Sequence, residues 1–150
     1  MNFVRAHRPD VLIYTGGGLL RKPLLTAARI GALNAHLGAL PEFMGSNTIE
    51  WSLAAGSQPA VTVHIMTEKL DRGPLLKAEF VRCADSLAQT KSRALLAAVL
   101  LLAEVAAKID SYTTNYPEQT RKAGKMFYTM HPLMKRILDV WLKERYRGCI

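Results

Sequence analysis

The chain has 150 residues, of which 49% are hydrophobic, and its formal net charge is +8. This length predicts one domain with a sizeable core, and the composition excludes a disordered, repetitive or disulfide-rich chain. The 20 Lys and Arg residues outnumber the 12 Asp and Glu residues, which favours an anionic partner.

The first half of the chain predicts strands that alternate with helices. The apolar, β-branched run at residues 10–15 is typical of a strand covered on both faces. A Gly-rich turn follows it, then a short helix over residues 24–30 and a second strand over residues 32–36. The next helix begins at Ser46 or Asn47 and ends at Gly56.

The second half predicts two strands and two longer helices. Strands cover residues 60–66 and 74–82, a helix runs from about Ser86 to Ile109, and an amphipathic helix covers residues 131–147. Residues 111–124 between these helices have a loop-like composition. This order predicts an α/β fold with an open, largely parallel, Rossmann-like sheet, flanking helices and an exposed sheet edge.

The cysteines, the N-terminal residues and the longest apolar run indicate where in the cell the protein is expected to be found. Cys83 and Cys149 lack metal-ligand spacing, so we expect no metal site and a reducing, cytoplasmic setting. The first ten residues lack the apolar region of a signal peptide. The longest apolar run, residues 94–103, is far shorter than the roughly 20 residues that span a bilayer, so we expect no membrane association.

Two polar side chains end the second predicted strand. Asn34 and His36 are two positions apart and therefore share one face. They lie at the carboxyl end of the strand, where open α/β sheets bind ligands. If the strand at residues 60–66 runs parallel to it, the following loop brings Asp71 to the same edge. The three side chains are then expected to converge.

This trio suits transfer of an acyl group. The Asn34 amide can donate to a developing oxyanion, an interaction worth roughly 3 kcal/mol. His36 can donate a second hydrogen bond and move a proton, and Asp71 can orient the ring. No Ser or Cys nucleophile has the required spacing. The simpler alternatives are a turn cap and a satisfied polar side chain at Asn34 and His36, a turn held by Asp71, and a packed or edge histidine at His64.

Three motifs in order resemble the folate-dependent formyltransferases, which include the methionyl-tRNA, glycinamide ribonucleotide and sugar N-formyltransferases. The motifs are Asn-x-His, Leu-Pro-x-x-x-Gly and Leu-Asp-x-Gly-Pro, and the match runs from Pro9 to about Val81. The resemblance implies an incomplete formyltransferase fold. Residues 1–117 would be the C-terminal half of the catalytic domain, and residues 118–150 a basic tail with a terminal helix. Met44 departs from the Arg that many relatives carry.

The resemblance also implies the reaction and its residues. The formyl donor would be 10-formyltetrahydrofolate, and the acceptor an amine on a small metabolite or amino sugar rather than on tRNA. Asn34 and His36 would stabilise the oxyanion, while Asp71 would support His36. The pterin would lie between two loops, whose cofactor-binding residues would be Gly18, Leu19, Leu20, Arg21, Thr67, Glu68, Lys69 and Leu70.

Other functions remain open at this point. Water could replace the amine, which would make the protein a formyltetrahydrofolate hydrolase. The chain could instead be a non-catalytic half-domain that binds a partner, or form a homodimer through the exposed sheet edge or the terminal helix. Nucleic-acid binding is a further alternative, but no such motif accompanies the basic residues, and a solvated helix face explains them more simply.

Overall fold

The structure, a computed structural model, describes residues 2–15, 19–113, 119 and 124–147. The helices are α1 (Asn2–His7), α2 (Lys22–Leu25), α3 (Thr48–Ala54), α4 (Leu87–Ala107), α5 (Ile109–Thr113) and α6 (Pro132–Arg145). The strands are β1 (Val11–Ile13), β2 (Gly31–His36), β3 (Phe43–Gly45), β4 (Ala60–Ile65), β5 (Leu75–Phe80) and β6 (Lys125–Phe127).

The main sheet has the strand order β1-β2-β4-β5. β1 and β2 are parallel, whereas β4 is antiparallel to both of its neighbours. The predicted α/β class with flanking helices is confirmed, but the expectation of a largely parallel sheet is corrected to a mixed one. The loop at residues 66–74 joins β4 to β5 without a crossover helix, so these neighbours have to be antiparallel.

A second, two-stranded sheet was not predicted. β3 and β6 pair in parallel, and the Phe43 and Phe127 rings stack with centroids 5.3 Å apart. Each strand has three residues, too few for the alternation that indicates a strand. The predicted domain boundary between residues 117 and 118 lies outside the described residues and stays a prediction. On its two sides, residues 33–109 and α6 contribute to one hydrophobic core.

Helix α4 packs one face on the sheet and exposes another. Its buried residues include Ala94, Leu101 and Val105. On the exposed face, Leu95, Leu96, Val99 and Leu100 each keep more than half of their surface accessible to solvent. These four residues, called the apolar stripe below, are pairs spaced four positions apart and so form a continuous patch. None of the described helices is long and apolar enough to cross a membrane.

The remaining helices differ from the sequence predictions in where they begin and end, and one of them was not predicted. The helix expected over residues 24–30 is only the short α2, and α1 was not expected. The long predicted helix is divided at Lys108 into α4 and α5. Residues 111–113, expected as loop, belong to α5, and most of the remaining predicted loop lies outside the described residues.

The N-terminus of α4 yields a stability prediction. Ser86 is the N-cap residue, and its hydroxyl accepts a hydrogen bond from the Gln89 backbone N–H at 3.3 Å. Ser86→Ala is expected to lower the free energy of unfolding by about 1 kcal/mol, measured by urea denaturation. Ser92→Ala, inside the same helix with an exposed hydroxyl bond to Ala88, is the control. An equal loss in both variants would contradict the capping role.

Candidate active site

Strand β2 places Asn34 and His36 on one face of the sheet. Asn34 is half-buried and His36 is buried. The Asn34 side-chain Nδ2 donates to the backbone carbonyl of Tyr14 at 2.9 Å, just beyond β1. Because the amide has two N–H bonds, this contact orients Asn34 and leaves its second N–H available to a ligand.

The two ring nitrogens of His36 have different partners. Nε2 donates to the backbone carbonyl of Phe43 at 2.8 Å, since a carbonyl oxygen only accepts. Nδ1 lies 3.6 Å from Oδ1 of Asp71. In the neutral ring Nδ1 therefore carries the free lone pair, and a proton taken up there lies next to a carboxylate.

The Asp71 carboxylate is held by a backbone N–H of strand β3. Its Oδ2 accepts a hydrogen bond from the Gly45 N–H at 2.7 Å. The residue has φ 53°, a left-handed conformation that Asp tolerates better than most residues. Its carboxylate is buried, with 7% relative exposure. Burial limits its motion and keeps it directed at His36.

The loop that carries Asp71 reaches His36 by a route that the sequence did not predict. Because β2 and β4 are antiparallel, the end of β4 lies beside Leu33 and not beside His36. The loop at residues 66–74 therefore folds back over the sheet face. Gly73 permits this, since a Cβ atom there would overlap the backbone carbonyl of Ile65. The expected convergence of His36 with Asp71 is thus present, but the expected reason, parallel strands, is wrong.

Gln119 binds the same loop through its side chain, and the sequence did not predict this contact. Its Nε2 donates to the carbonyl oxygens of Asp71 at 3.0 Å and Gly73 at 2.7 Å. Gln119 is separated from Asp71 by 48 positions and lies in a stretch of loop-like composition. No local pattern in the sequence connects the two residues.

Two cavities meet at Asn34 and His36. The first, called the loop cavity, has a volume of about 450 Å³ and is bounded by the loop at residues 66–71. The second, called the helix cavity, has a volume of about 370 Å³ and is bounded by α3 and α4. Tyr14, Asn34, His36 and Gly45 line both cavities. Both volumes fall in the range of small-molecule sites.

Most residues predicted to bind the cofactor surround the loop cavity. Those in its lining are Leu19, Leu20, Thr67, Glu68, Lys69 and Leu70. Arg21 is outside the lining and precedes α2, where its carbonyl accepts from the Leu24 and Leu25 N–H groups. Gly18 lies outside the described residues. Their role in binding a cofactor stays a prediction.

His64 is a further polar group of the loop cavity. It pairs with Asn34 across the antiparallel strands, so both side chains project from one face. Its Nδ1 donates to the Ile65 carbonyl at 3.2 Å, and its buried Nε2 has no hydrogen-bond partner within the described residues. A packed or edge histidine was expected at His64, although the alternation of β4 places its side chain on the same face as Asn34.

A buried ion cluster closes one side of the helix cavity. Glu50, with 1% relative exposure, accepts from Lys91 at 2.9 Å and from Asn47 Nδ2 at 3.2 Å, and Lys135 lies 3.8 Å away.

Met44 stands where many relatives carry an Arg, and its side chain is fully buried. In the part of the chain that the structure describes, no group of three His, Cys, Asp or Glu residues could hold a metal ion.

The burial of His64 makes a prediction about pH. Burial lowers the pKa of His64, and the His36 ring adds to this effect, while the Asp71 carboxylate opposes it. Between this lowered pKa and the unfolded value of about 6.5, the unfolded chain binds a proton that the native chain does not. His64 therefore makes the protein lose stability as the pH falls through this window.

We expect His64→Asn to weaken this pH dependence in urea unfolding measured from pH 8 to pH 5. His7→Asn, which removes an exposed imidazole, is the matched control, so the difference between the variants isolates the effect of burial. An unchanged pH dependence in His64→Asn would contradict the prediction.

Comparison with known proteins gives consistent matches. A family model described as Formyl transferase matches residues 1–104. Methionyl-tRNA formyltransferase of Thermotoga maritima is 29% identical over 140 residues, covering 91% of this chain and 44% of that protein. Phosphoribosylglycinamide formyltransferase of Streptococcus pneumoniae superposes with a TM-score of 0.63 at 29% identity, covering 73% of this chain and 63% of that one.

A third match is the formyltransferase PseJ of Anoxybacillus kamchatkensis, solved with UDP-4,6-dideoxy-4-formamido-L-AltNAc and tetrahydrofolate. It superposes with a TM-score of 0.66 at 21% identity, covering 78% of this chain and 64% of that one. The chain spans less than half the length of the curated relatives it matches. The family match extends beyond the Pro9 to Val81 stretch of the sequence resemblance and covers most of the chain. The resemblance is confirmed, and this chain belongs to the Formyl transferase family.

Proposed function

We propose that the chain carries the catalytic centre for transfer of a formyl group from 10-formyltetrahydrofolate to an amine on a small metabolite or amino sugar. The observation that carries the proposal is the meeting of two cavities at Asn34 and His36. Group transfer needs the donor and the acceptor to be bound side by side, with the amine within reach of the formyl carbon. The loop cavity would hold the donor, and the helix cavity the acceptor.

The loop cavity fits a flat, polar donor. Its wall combines Leu19, Leu20 and Leu70 with the polar Thr67 and Glu68. The buried Nε2 of His64 has no partner within the described residues, so a ligand donor group could satisfy it. When bound, 10-formyltetrahydrofolate supplies the formyl carbon that the acceptor amine attacks. Tetrahydrofolate in the related PseJ structure supports this choice of donor.

Asn34, His36 and Asp71 have separate roles in this proposal. The free N–H of Asn34 donates to the formyl oxygen as it gains negative charge. Nδ1 of His36 takes part in proton transfer next to Asp71, whose carboxylate orients the ring. The Gly45 N–H holds the Asp71 carboxylate in place. In this proposal the proton lost by the attacking amine passes through Asp71 and His36 to the folate nitrogen, which leaves as the formyl C–N bond breaks.

The helix cavity favours formyl transfer over hydrolysis. Its volume of about 370 Å³ exceeds what a single water molecule requires. Leu95, Ala98, Val99 and Leu102 form an apolar wall along α4, and Lys91 of the same helix and Glu50 of α3 add charged groups to the lining. This lining suits the carbon skeleton and polar groups of a small amine better than water alone.

The proposal predicts loss of transfer with folate binding retained. Asn34→Ala is expected to lower kcat roughly 100- to 1,000-fold, and His36→Ala or Asp71→Ala roughly 100-fold or more. The assays would use 10-formyltetrahydrofolate with dTDP-3-aminofucose, which is bound by a structural relative, or with phosphoribosylglycinamide. Calorimetry with folinic acid would measure donor binding, which is expected to stay close to wild type. The exposed His7→Ala is the control, and unchanged turnover in any of the three variants would refute its assigned role.

The contacts of Gln119 predict that this residue positions the Asp71 loop. Gln119→Leu keeps the side-chain size but removes two hydrogen bonds to the Asp71 loop, each worth about 1 kcal/mol. We expect a roughly tenfold lower kcat and a shifted pH–rate profile, because the carboxylate facing His36 becomes less well placed. Gln89→Leu, on the exposed surface of α4, is the control. A change in protein stability with an unchanged pH–rate profile would show a purely structural role.

The apolar stripe favours a second candidate function, a half-domain that binds a partner. Its four residues are exposed, and so is Ile13 on the edge strand β1; exposed apolar side chains and open sheet edges are both features used for protein contacts. A partner there, including a second copy of the chain, could complete the sheet. A folded chain that binds folinic acid but transfers no formyl group to any amine would favour this candidate.

A further inference from the structure

A third cavity lies at the other end of the sheet from the Asp71 loop. This cavity, called the arginine cavity, has a volume of about 470 Å³. Its lining consists of Leu53, Gly56, Ser57, Gln58, Arg82, Cys83, Trp141, Arg145 and Tyr146. Gln58 precedes β4, whereas the Asp71 loop follows it, so the length of the strand, about 20 Å, separates the two regions. It shares no lining residue with the other two cavities.

Aromatic rings fix one of its two arginines. Cζ of Arg145 lies 5.1 Å from the Trp141 ring centroid and 5.9 Å from that of Tyr146. The two rings meet nearly perpendicularly, with an interplanar angle of 83°. A cation–π contact orients the guanidinium through its face and leaves the N–H donors in its plane unused.

The positive charge in the arginine cavity has no neutralising partner among the described residues. The lining contains no Asp or Glu. Neither Arg82 nor Arg145 makes an ion pair in the part of the chain that the structure describes. This differs from Lys91 at the helix cavity and from Lys77 on β5, which both face a carboxylate. Two like charges around one cavity repel each other, and an anion between them removes that repulsion.

Neutral donors and an apolar wall complete the cavity. The Ser57 hydroxyl and the Gln58 amide contribute donors from the turn after α3, and Leu53 and Trp141 contribute apolar surface. Two guanidinium groups match the nearly doubly negative charge of a phosphate monoester, and their planar forks can each donate two hydrogen bonds to its oxygens. The apolar wall suits the organic group that carries the phosphate.

We propose that the arginine cavity binds a phosphorylated small molecule, with the phosphate held between Arg82 and Arg145. The site is separate from the proposed formyl-transfer centre and does not depend on that function. Its occupant would tie the turn before β4 to the C-terminal end of α6, and so link the sheet to the terminal helix.

The test uses fluorescence from Trp141. The chain has two tryptophans, so a Trp51→Phe chain reports from Trp141 alone. Titration with phenyl phosphate is expected to give a saturable change. Arg82→Gln and Arg145→Gln are each expected to raise the Kd about tenfold or more. Lys143→Gln removes the same charge from α6 outside the cavity, and its Kd is expected to match the parent.

Three results of the titrations would overturn the proposal: no saturable change, an equal weakening by Lys143→Gln, or benzoate binding as tightly as phenyl phosphate. Equal weakening would indicate only the general attraction of a basic protein for anions. Alkylation of Cys83, measured in a Cys149→Ser chain, provides a second readout, because an occupant of the cavity is expected to protect this thiol. Unprotected Cys83 at saturating phenyl phosphate would place the binding elsewhere and reject the site.

Discussion

The candidate active site depends on one hydrogen bond, from the Gly45 N–H to the buried carboxylate of Asp71. A buried carboxylate is costly unless donors or charges surround it. This bond supplies one donor, and the ring of His36 supplies the facing group. It also joins the loop after β4 to the short sheet of β3 and β6. The site is therefore complete only when this loop lies over the sheet.

A second buried carboxylate, Glu50, organises the helices in a similar way. It is held by Lys91 from α4 and approached by Lys135 from α6, so three helices meet at one charge. Removing one partner of such a group is generally more destabilising than the pair is stabilising. The cluster matters here because it fixes where the helices lie relative to each other. It sets the distance between α3 and α4, and with it the width of the helix cavity beside His36.

The distribution of buried and exposed groups separates three kinds of surface. The cavities at Asn34 and His36 combine buried polar groups with apolar walls, as expected of a site that excludes water. The apolar stripe of α4 has no polar groups of its own and suits a protein contact; two of its residues, Leu95 and Val99, also line the helix cavity, so the two surfaces adjoin. The arginine cavity carries unpaired positive charge within the described residues. Part of the net charge of +8 is thus concentrated at the arginine cavity. The arrangement of the two arginines there determines which anions the cavity can recognise.

The sequence by itself determined the strands β1, β2, β4 and β5 and the long helix α4, because these depend on local patterns of apolar side chains. Its motifs also singled out Asn34, His36 and Asp71 as candidate site residues, whose roles stay predictions. It could not determine the antiparallel direction of β4, the pairing of β3 with β6, or the contact of Gln119 with the Asp71 loop. Those features join residues far apart in the chain, and their partners are chosen by packing and hydrogen bonding in three dimensions. Tertiary structure therefore decided how Asp71 reaches His36.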